Sequence, residues 1–193
     1  MFEIDLDEKS KEKIKEIFGT LNKKQENFIS KLYELAVKDH KTKVYNSKFF
    51  NDVLSIELEK ARRKKGKLCI FVIDIDYFKK INDSYGHLIG DKILYKFARI
   101  LEKNFRKTDV ISRFGGEEFF ILLPNTSKRN ANKIIKRVQN SIKNDSFLKK
   151  YKITFSGGLT EYRDKDTKTS FKKRADSALY KAKKSGRDRV VVL

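Results

Sequence analysis

Two hydrophobic periods divide the chain into elements. Near the N-terminus, Ile14, Phe18, Leu21, Gln25, Phe28, Leu32 and Leu35 are spaced alternately by four and three residues, which is the a/d seam of a heptad helix. Gln25 interrupts the seam as a register-setting polar residue does. Such a seam either joins two copies of the chain in a short coiled coil or folds back onto its own domain. Gly19 weakens this helix by up to about 1 kcal/mol and marks a candidate bend. After a polar joint at 38–45, the pattern predicts a helix from Asn46 or Ser47 to 65, stopped by Gly66. A continuous apolar run then predicts a strand over 67–75, followed by a short helix over 77–84 and a helix over 90–104. Two β-forming runs, 109–114 and 119–123, flank a Gly-Gly pair and predict a hairpin. A helix over 127–144 turns Ile134, Ile135, Val138 and Ile142 inward; a strand over 152–162, a helix over 169–184 and a strand over 189–193 complete the chain. Helices interleaved with strands around one tight hairpin predict an α+β domain at 39–193, a mixed sheet covered by helices, with a helical extension at 1–38.

Composition narrows the class without naming a function. With 193 residues, 39% hydrophobic and 12% aromatic, the chain can bury one real core and carry an appendage. The longest apolar run, 68–73, is far too short to cross a bilayer, and the opening MFEIDLDEKSKEK has no apolar signal-peptide region. A soluble, cytoplasmic protein with no membrane span is expected. The lone Cys69 sits mid-strand and reads as a core residue, which removes disulfides and thiolate metal sites. The net charge is +20, yet residues 1–38 balance eight lysines against eight acidic residues, so the excess lies in 39–193. That field either attracts polyanions (nucleic acid, acidic lipid, nucleoside triphosphates) or serves solubility.

The chemistry concentrates at two acidic strand ends. In Arg113-Phe114-Gly115-Gly116-Glu117-Glu118-Phe119 the turn carries two carboxylates to the hairpin tip, and Asp74-Ile75-Asp76 ends the strand 67–75. Strand alternation places Asp74 and Asp76 on one face and Ile75 on the other. If the two ends converge in one sheet they suit a hard divalent cation. Magnesium takes one or two carboxylates and leaves its other positions to water and phosphate, a need met by Asp74 and one hairpin glutamate. The helix opening at Phe78-Lys79 turns free N–H groups and its positive dipole end toward the strand end, where an anion could sit beside Lys79. Asn82 offers a donor and an acceptor to a nucleobase edge. Asp91 either accepts from guanine N1–H and N2–H or caps its helix. His87 reads as a structural histidine. The basic stretch from Lys181 to Arg187 either binds phosphate or ends a helix at the C-cap glycine Gly186.

Taken in order, Asp74-Ile75-Asp76-x-Phe78-Lys79-x-x-Asn82-Asp83, Gly86-His87-x-x-Gly90-Asp91, the Gly115-Gly116-Glu117-Glu118 signature, Ser156-Gly157-Gly158 and Ala178-Leu179-Tyr180-x-Ala182-Lys183-x-x-Gly186-Arg187 resemble the GGDEF domain of diguanylate cyclases. The resemblance covers about residues 39–193, and five ordered motifs are far more specific than any one. It implies a five-stranded, mostly antiparallel sheet flanked by helices, like nucleotidyl cyclases and polymerase palms. It implies condensation of two GTP into cyclic di-GMP and two pyrophosphates. Asp74, Glu117 and the backbone carbonyl of Ile75 would then hold magnesium (or manganese), and Glu118 would help activate the attacking 3′-hydroxyl. Phe78, through its backbone, and Lys79, Lys183 and Arg187 would hold the triphosphate, Asn82 and Asp91 would read guanine, and Gly115 and Gly116 would leave room for substrate. One domain holds one GTP, so a homodimer is implied. Arg106-Lys107-Thr108-Asp109 matches the family's inhibitory product site, with Arg137 as a secondary contact.

The chain also departs from the family pattern. The opening motif, roughly Asp-x-Leu-Thr-Gly-Leu-x-Asn-Arg, appears here as Asp39-His40-Lys41-Thr42-Lys43-Val44-Tyr45-Asn46-Ser47, and Asp188 replaces a usual asparagine. The altered motif is expected to affect the joint and to touch none of the metal or guanine groups. Two alternatives remain: a non-catalytic cyclic di-GMP receptor using Arg106 and Asp109, and a cyclase making a mixed adenine–guanine dinucleotide, against which Asp91 argues. No specific nucleic-acid partner is expected.

Overall fold

The computed structural model describes residues 12, 13, 16, 19, 22–64 and 66–193. In chain order the elements are α1 (Lys23–Val37), β1 (Tyr45–Asn46), α2 (Ser47–Lys64), β2 (Leu68–Ile75), α3 (Phe78–Tyr85), α4 (His87–Asn104), β3 (Val110–Gly115), β4 (Glu118–Pro124), α5 (Lys128–Asn144), α6 (Ser146–Lys150), β5 (Phe155–Glu161), α7 (Lys168–Lys184) and β6 (Val190–Val192). The strands form one sheet in the order β1-β3-β4-β2-β5-β6. Its centre is antiparallel, and β1 and β6 add to the edges in parallel. The expected α+β architecture holds, with six strands in place of five. The extra strand is β1, two residues of the joint that pair with Ser112 and Arg113 of β3.

The uninterrupted apolar run of β2 follows from its central place. Cys69, Phe71, Ile73 and Ile75 pack into one core with α3, α4 and α5, while Leu68, Ile70 and Val72 pack into a second with α2 and α7. A strand covered on both faces has no polar side to show. The Cys69 thiol is buried, donates to the Thr126 carbonyl at 3.1 Å, and is pushed up to about 12 by that burial. It is the inert core residue expected. Gly157 and Gly158 mark close approaches: a Cβ on Gly158 would lie 2.2 Å from the Ala175 carbonyl oxygen, and one on Gly157 would lie 2.6 Å from the Phe71 ring. Gly158 lets α7 press against β5, and Gly157 makes room on the other face for the Phe71 ring.

Several boundaries differ from expectation for local reasons. Gly86, at φ 80°, both ends α3 and opens α4, so α4 starts at His87 and not at Gly90. Asp145 accepts from the backbone N–H groups of Phe147 and Leu148 and starts the unexpected short α6, which postpones the following strand to Phe155. At the N-terminus, Ile14, Phe18 and Leu21 lie outside the described residues. Gly19 has φ +69°, and α1 begins afresh at Lys23. Gln25 closes a capping box with Asn22, a role different from the register-setting one. Phe28, Leu32 and Leu35 remain 63%, 49% and 71% exposed. Among the described residues, no helix is long and apolar enough to cross a membrane.

Candidate active site

The acidic strand ends converge. Asp74 pairs with Glu118 across β2 and β4, and directly paired residues share a face. That face belongs to α7, because Val72 and Phe120 beside them pack into the α2–α7 core. Lys183 at the end of α7 reaches the Asp74 carboxylate at 2.7 Å. Burial raises the Glu118 pKa, and the neighbouring Asp74 charge raises it further, against the pull of Lys183. Asp76 does not join this cluster as a free ligand. It is buried and accepts from Ser156 Oγ at 2.7 Å, Thr154 Oγ1 at 2.8 Å and the Asp188 backbone N–H at 3.0 Å. Its task is to lock the end of β2 to β5 and to the loop after α7.

The hairpin turn is shorter than the signature suggests. Gly115 pairs with Glu118, leaving Gly116 and Glu117 as the loop. Gly116 has φ +48°, which a glycine adopts without strain. Neither glycine has an atom within 4 Å of a would-be Cβ, so the space beside the turn is open, as expected for a substrate. Arg113 braces the turn: its Nε and Nη2 donate to the Gly116 carbonyl at 2.9 and 2.7 Å. Its Nη1 meets Asp39 at 3.1 Å. Burial opposes ionisation of Asp39, yet hydrogen bonds from Thr42 and Arg113 hold its carboxyl below the usual range. The Ile75 N–H donates to the Glu117 carbonyl at 3.4 Å, which docks the loop on the end of β2. Among the described residues, no three His, Cys, Asp or Glu side chains are grouped to enclose a metal. The donors at hand, Asp74, the hairpin glutamates and the backbone at Ile75, fit a cation that completes its shell with water and phosphate.

A pocket of about 330 Å³ opens next to Glu117, between α3 and α4. Lys79, Asn82, Asp91 and Gly116, all singled out in the sequence, line it, and Phe78 forms part of its wall. The α3 N-terminus has no side-chain cap, because Tyr77 before it carries no short oxygen to accept from the first turn, so its N–H groups stay available to an anion. Gly90 is required by Asn82: a Cβ there would lie 1.9 Å from Asn82 Oδ1. Asp91 sits in the second turn of α4 and does not cap it, which removes the capping alternative. Its partner is Lys41, whose Nζ lies 2.6 and 2.9 Å from the two carboxylate oxygens. The altered opening motif therefore does touch Asp91, a residue expected to read guanine, contrary to the expectation that it would touch none of that set. His87, read as structural, is exposed at the pocket lining. Lys41 and the bracing role of Arg113 were missed, and only the departure from the family pattern at Lys41 could have signalled the first.

At the far end of α7, Gly186 sits at φ 103° and the Arg187 N–H returns to the Ala182 carbonyl at 3.1 Å, a Schellman-type C-cap. The C-cap reading holds. It also sets Arg187 over the Tyr77 ring, 4.7 Å from its centroid, beside the start of α3. Arg106 is exposed, and its backbone N–H donates to Asp109 Oδ2 at 2.8 Å. Asp109 Oδ1 is buried with no hydrogen-bond partner among the described residues, and burial raises this carboxyl's pKa. Arg137 is engaged with Asn104, through the side-chain and backbone oxygens.

A family model described as "Diguanylate cyclase, GGDEF domain" matches residues 36–189. The chain belongs to the GGDEF family. Diguanylate cyclase DgcP of Pseudomonas aeruginosa is 41% identical over 160 residues, covering 81% of this chain and 24% of that protein. Diguanylate cyclase A of Treponema denticola is 38% identical over 170 residues, covering 84% of this chain and 46% of that protein. The chain thus spans less than half the length of these curated relatives. The GGDEF domain of DgcB from Caulobacter crescentus, solved in complex with c-di-GMP, is 29% identical and superposes with a TM-score of 0.77 over 81% of this chain and 95% of that one.

Proposed function

We propose that this GGDEF chain is a diguanylate cyclase that condenses two GTP into cyclic di-GMP and two pyrophosphates as a magnesium-dependent homodimer in the cytoplasm, where GTP is held. The observation that carries this reading is the meeting of a base-sized pocket with the acidic hairpin turn at Glu117. A base-sized pocket holding Asn82 and Asp91 leads past Lys79 to Glu117, beside the Asp74–Glu118 pair. In each half-reaction a 3′-hydroxyl oxygen bonds to the α-phosphorus of the facing GTP, and the bond from that phosphorus to pyrophosphate breaks. Glu118, whose raised pKa suits a proton acceptor, would take the hydroxyl proton. Asp74, Glu117 and the Ile75 carbonyl would hold magnesium, or manganese, which when bound lowers the pKa of the hydroxyl and offsets charge on the leaving pyrophosphate. The free N–H groups at the start of α3, with Lys79, Lys183 and Arg187, would hold the triphosphate.

One domain offers one such pocket, so two must face each other. The exposed Phe28, Leu32 and Leu35 of α1 supply an apolar stripe suited to pairing with a second copy. Product would bind at Arg106 and Asp109, where the unpartnered Oδ1 awaits a donor from a guanine edge. The complete signature weighs against a purely non-catalytic receptor. Replacing Glu117 by alanine should abolish turnover by removing a metal ligand, while Arg106→Ala should keep the initial rate and relieve inhibition by cyclic di-GMP. An active Glu117→Ala enzyme would reject the assigned site, and unchanged inhibition of Arg106→Ala would reject the control site.

A further inference from the structure

Lys41 replaces an apolar residue of the family pattern, and it places an ammonium inside the base pocket against Asp91. The cation is not needed to satisfy a buried charge, since the Lys41 and Asp91 side chains are 37% and 40% exposed. Asp91 could therefore be solvated alone, and an exposed pair of this kind contributes only about 0–1 kcal/mol to stability. What the pair adds is a pattern. Read across the pocket, it presents one donor, Nζ, next to two acceptors, Oδ1 and Oδ2, at 2.6 and 2.9 Å. The Watson–Crick edge of guanine runs acceptor, donor, donor: O6, N1–H and N2–H. Adenine presents a donor at N6 and an acceptor at N1, which sets like against like at both positions.

We infer that Lys41 is a specificity residue that donates to O6 of the bound guanine while Asp91 accepts from N1–H and N2–H. The inference deepens the proposed GTP site and rests on it. In the structure the ammonium straddles both Asp91 oxygens. When guanine takes those oxygens, Nζ moves to the outer side of the carboxylate and bridges to O6. A flexible lysine stem with a partly exposed head makes that shift at small cost. Asn82, held in place across α4 by the absence of a side chain on Gly90, completes the recognition of the base.

The test is calorimetric titration of the full chain with GDP and with 6-thio-GDP, which keeps both edge donors and weakens the acceptor at position 6. The unaltered chain should prefer GDP. Lys41→Met should weaken GDP binding about tenfold, the scale of one hydrogen bond to a charged group. The same change should nearly erase the preference over 6-thio-GDP, and Lys41→Arg should restore it. A Lys41→Met chain that binds GDP as tightly as before, or more tightly, overturns the inference and leaves the GTP site standing. Failure of the unaltered chain to bind GDP at all overturns both.

Discussion

At the residue scale the site depends on contacts that link positions far apart in the chain. The types and spacing of Asp74, Glu117, Asn82 and Asp91 were legible, because acidic strand ends and a polar helix start are local patterns. The Lys41–Asp91 pair was not, since fifty positions separate the partners and nothing in either segment encodes the meeting. The locking role of Asp76 was not legible for the same reason: its three donors come from β5, the segment before it and the loop after α7. Gly90 offers a sharp test of positioning. An alanine there is a better helix former by about 1 kcal/mol, yet its Cβ would occupy the place of Asn82 Oδ1. Gly90→Ala should therefore keep or slightly raise the melting temperature while raising KM for GTP severalfold. An unchanged KM would show that Asn82 has no part in holding the base.

At the scale of elements, the hydrophobic patterns located nearly every strand and helix, and misses came where capping decided the boundary or, as in β1, where pairing with a distant strand made one. The pattern did not foresee α6, because five residues are too few for a period and Asp145 alone starts the turn. Two element contacts carry testable energies. Gly158 has backbone atoms of α7 where a Cβ would go, and backbone yields less readily than a side chain. Gly158→Ala should cost about 2 kcal/mol in denaturant unfolding; a cost near zero would mean that α7 slides freely on β5. The segment between β5 and α7 is held by Asp166, whose two oxygens each meet a terminal nitrogen of Arg174 at 2.7 Å. Arg174 Nε also donates to Thr160 Oγ1 at 2.7 Å.

Burial disfavours the Asp166 charge, but Arg174 and the Arg163 N–H outweigh it and hold the carboxyl below its ordinary pKa. A depressed folded pKa gives stability that is complete above the unfolded value, about 3.9, and is lost as pH falls through the folded one. Asp166→Asn should cost about 3 kcal/mol at neutral pH, as does breaking a buried pair from one side. That gap should shrink as the pH drops below about 4. A gap of constant size across that range would mean that the carboxylate charge is not what holds the segment.

At the scale of the whole molecule, the proposed reaction would put half of a two-substrate site on each domain, and the exposed stripe of α1 would be the means of pairing. Leu32→Glu places a charge in that stripe without touching the GGDEF domain. The variant should sediment as a monomer at concentrations where the parent is a dimer, with specific activity that falls on dilution. Full activity in a monomeric variant would remove α1 from the account. The central claim is the reaction itself. Purified chain incubated with GTP and magnesium, followed by mass spectrometry of the nucleotide products, should yield cyclic di-GMP and two equivalents of pyrophosphate. Unconsumed GTP at high protein concentration, or a product other than cyclic di-GMP, would contradict it.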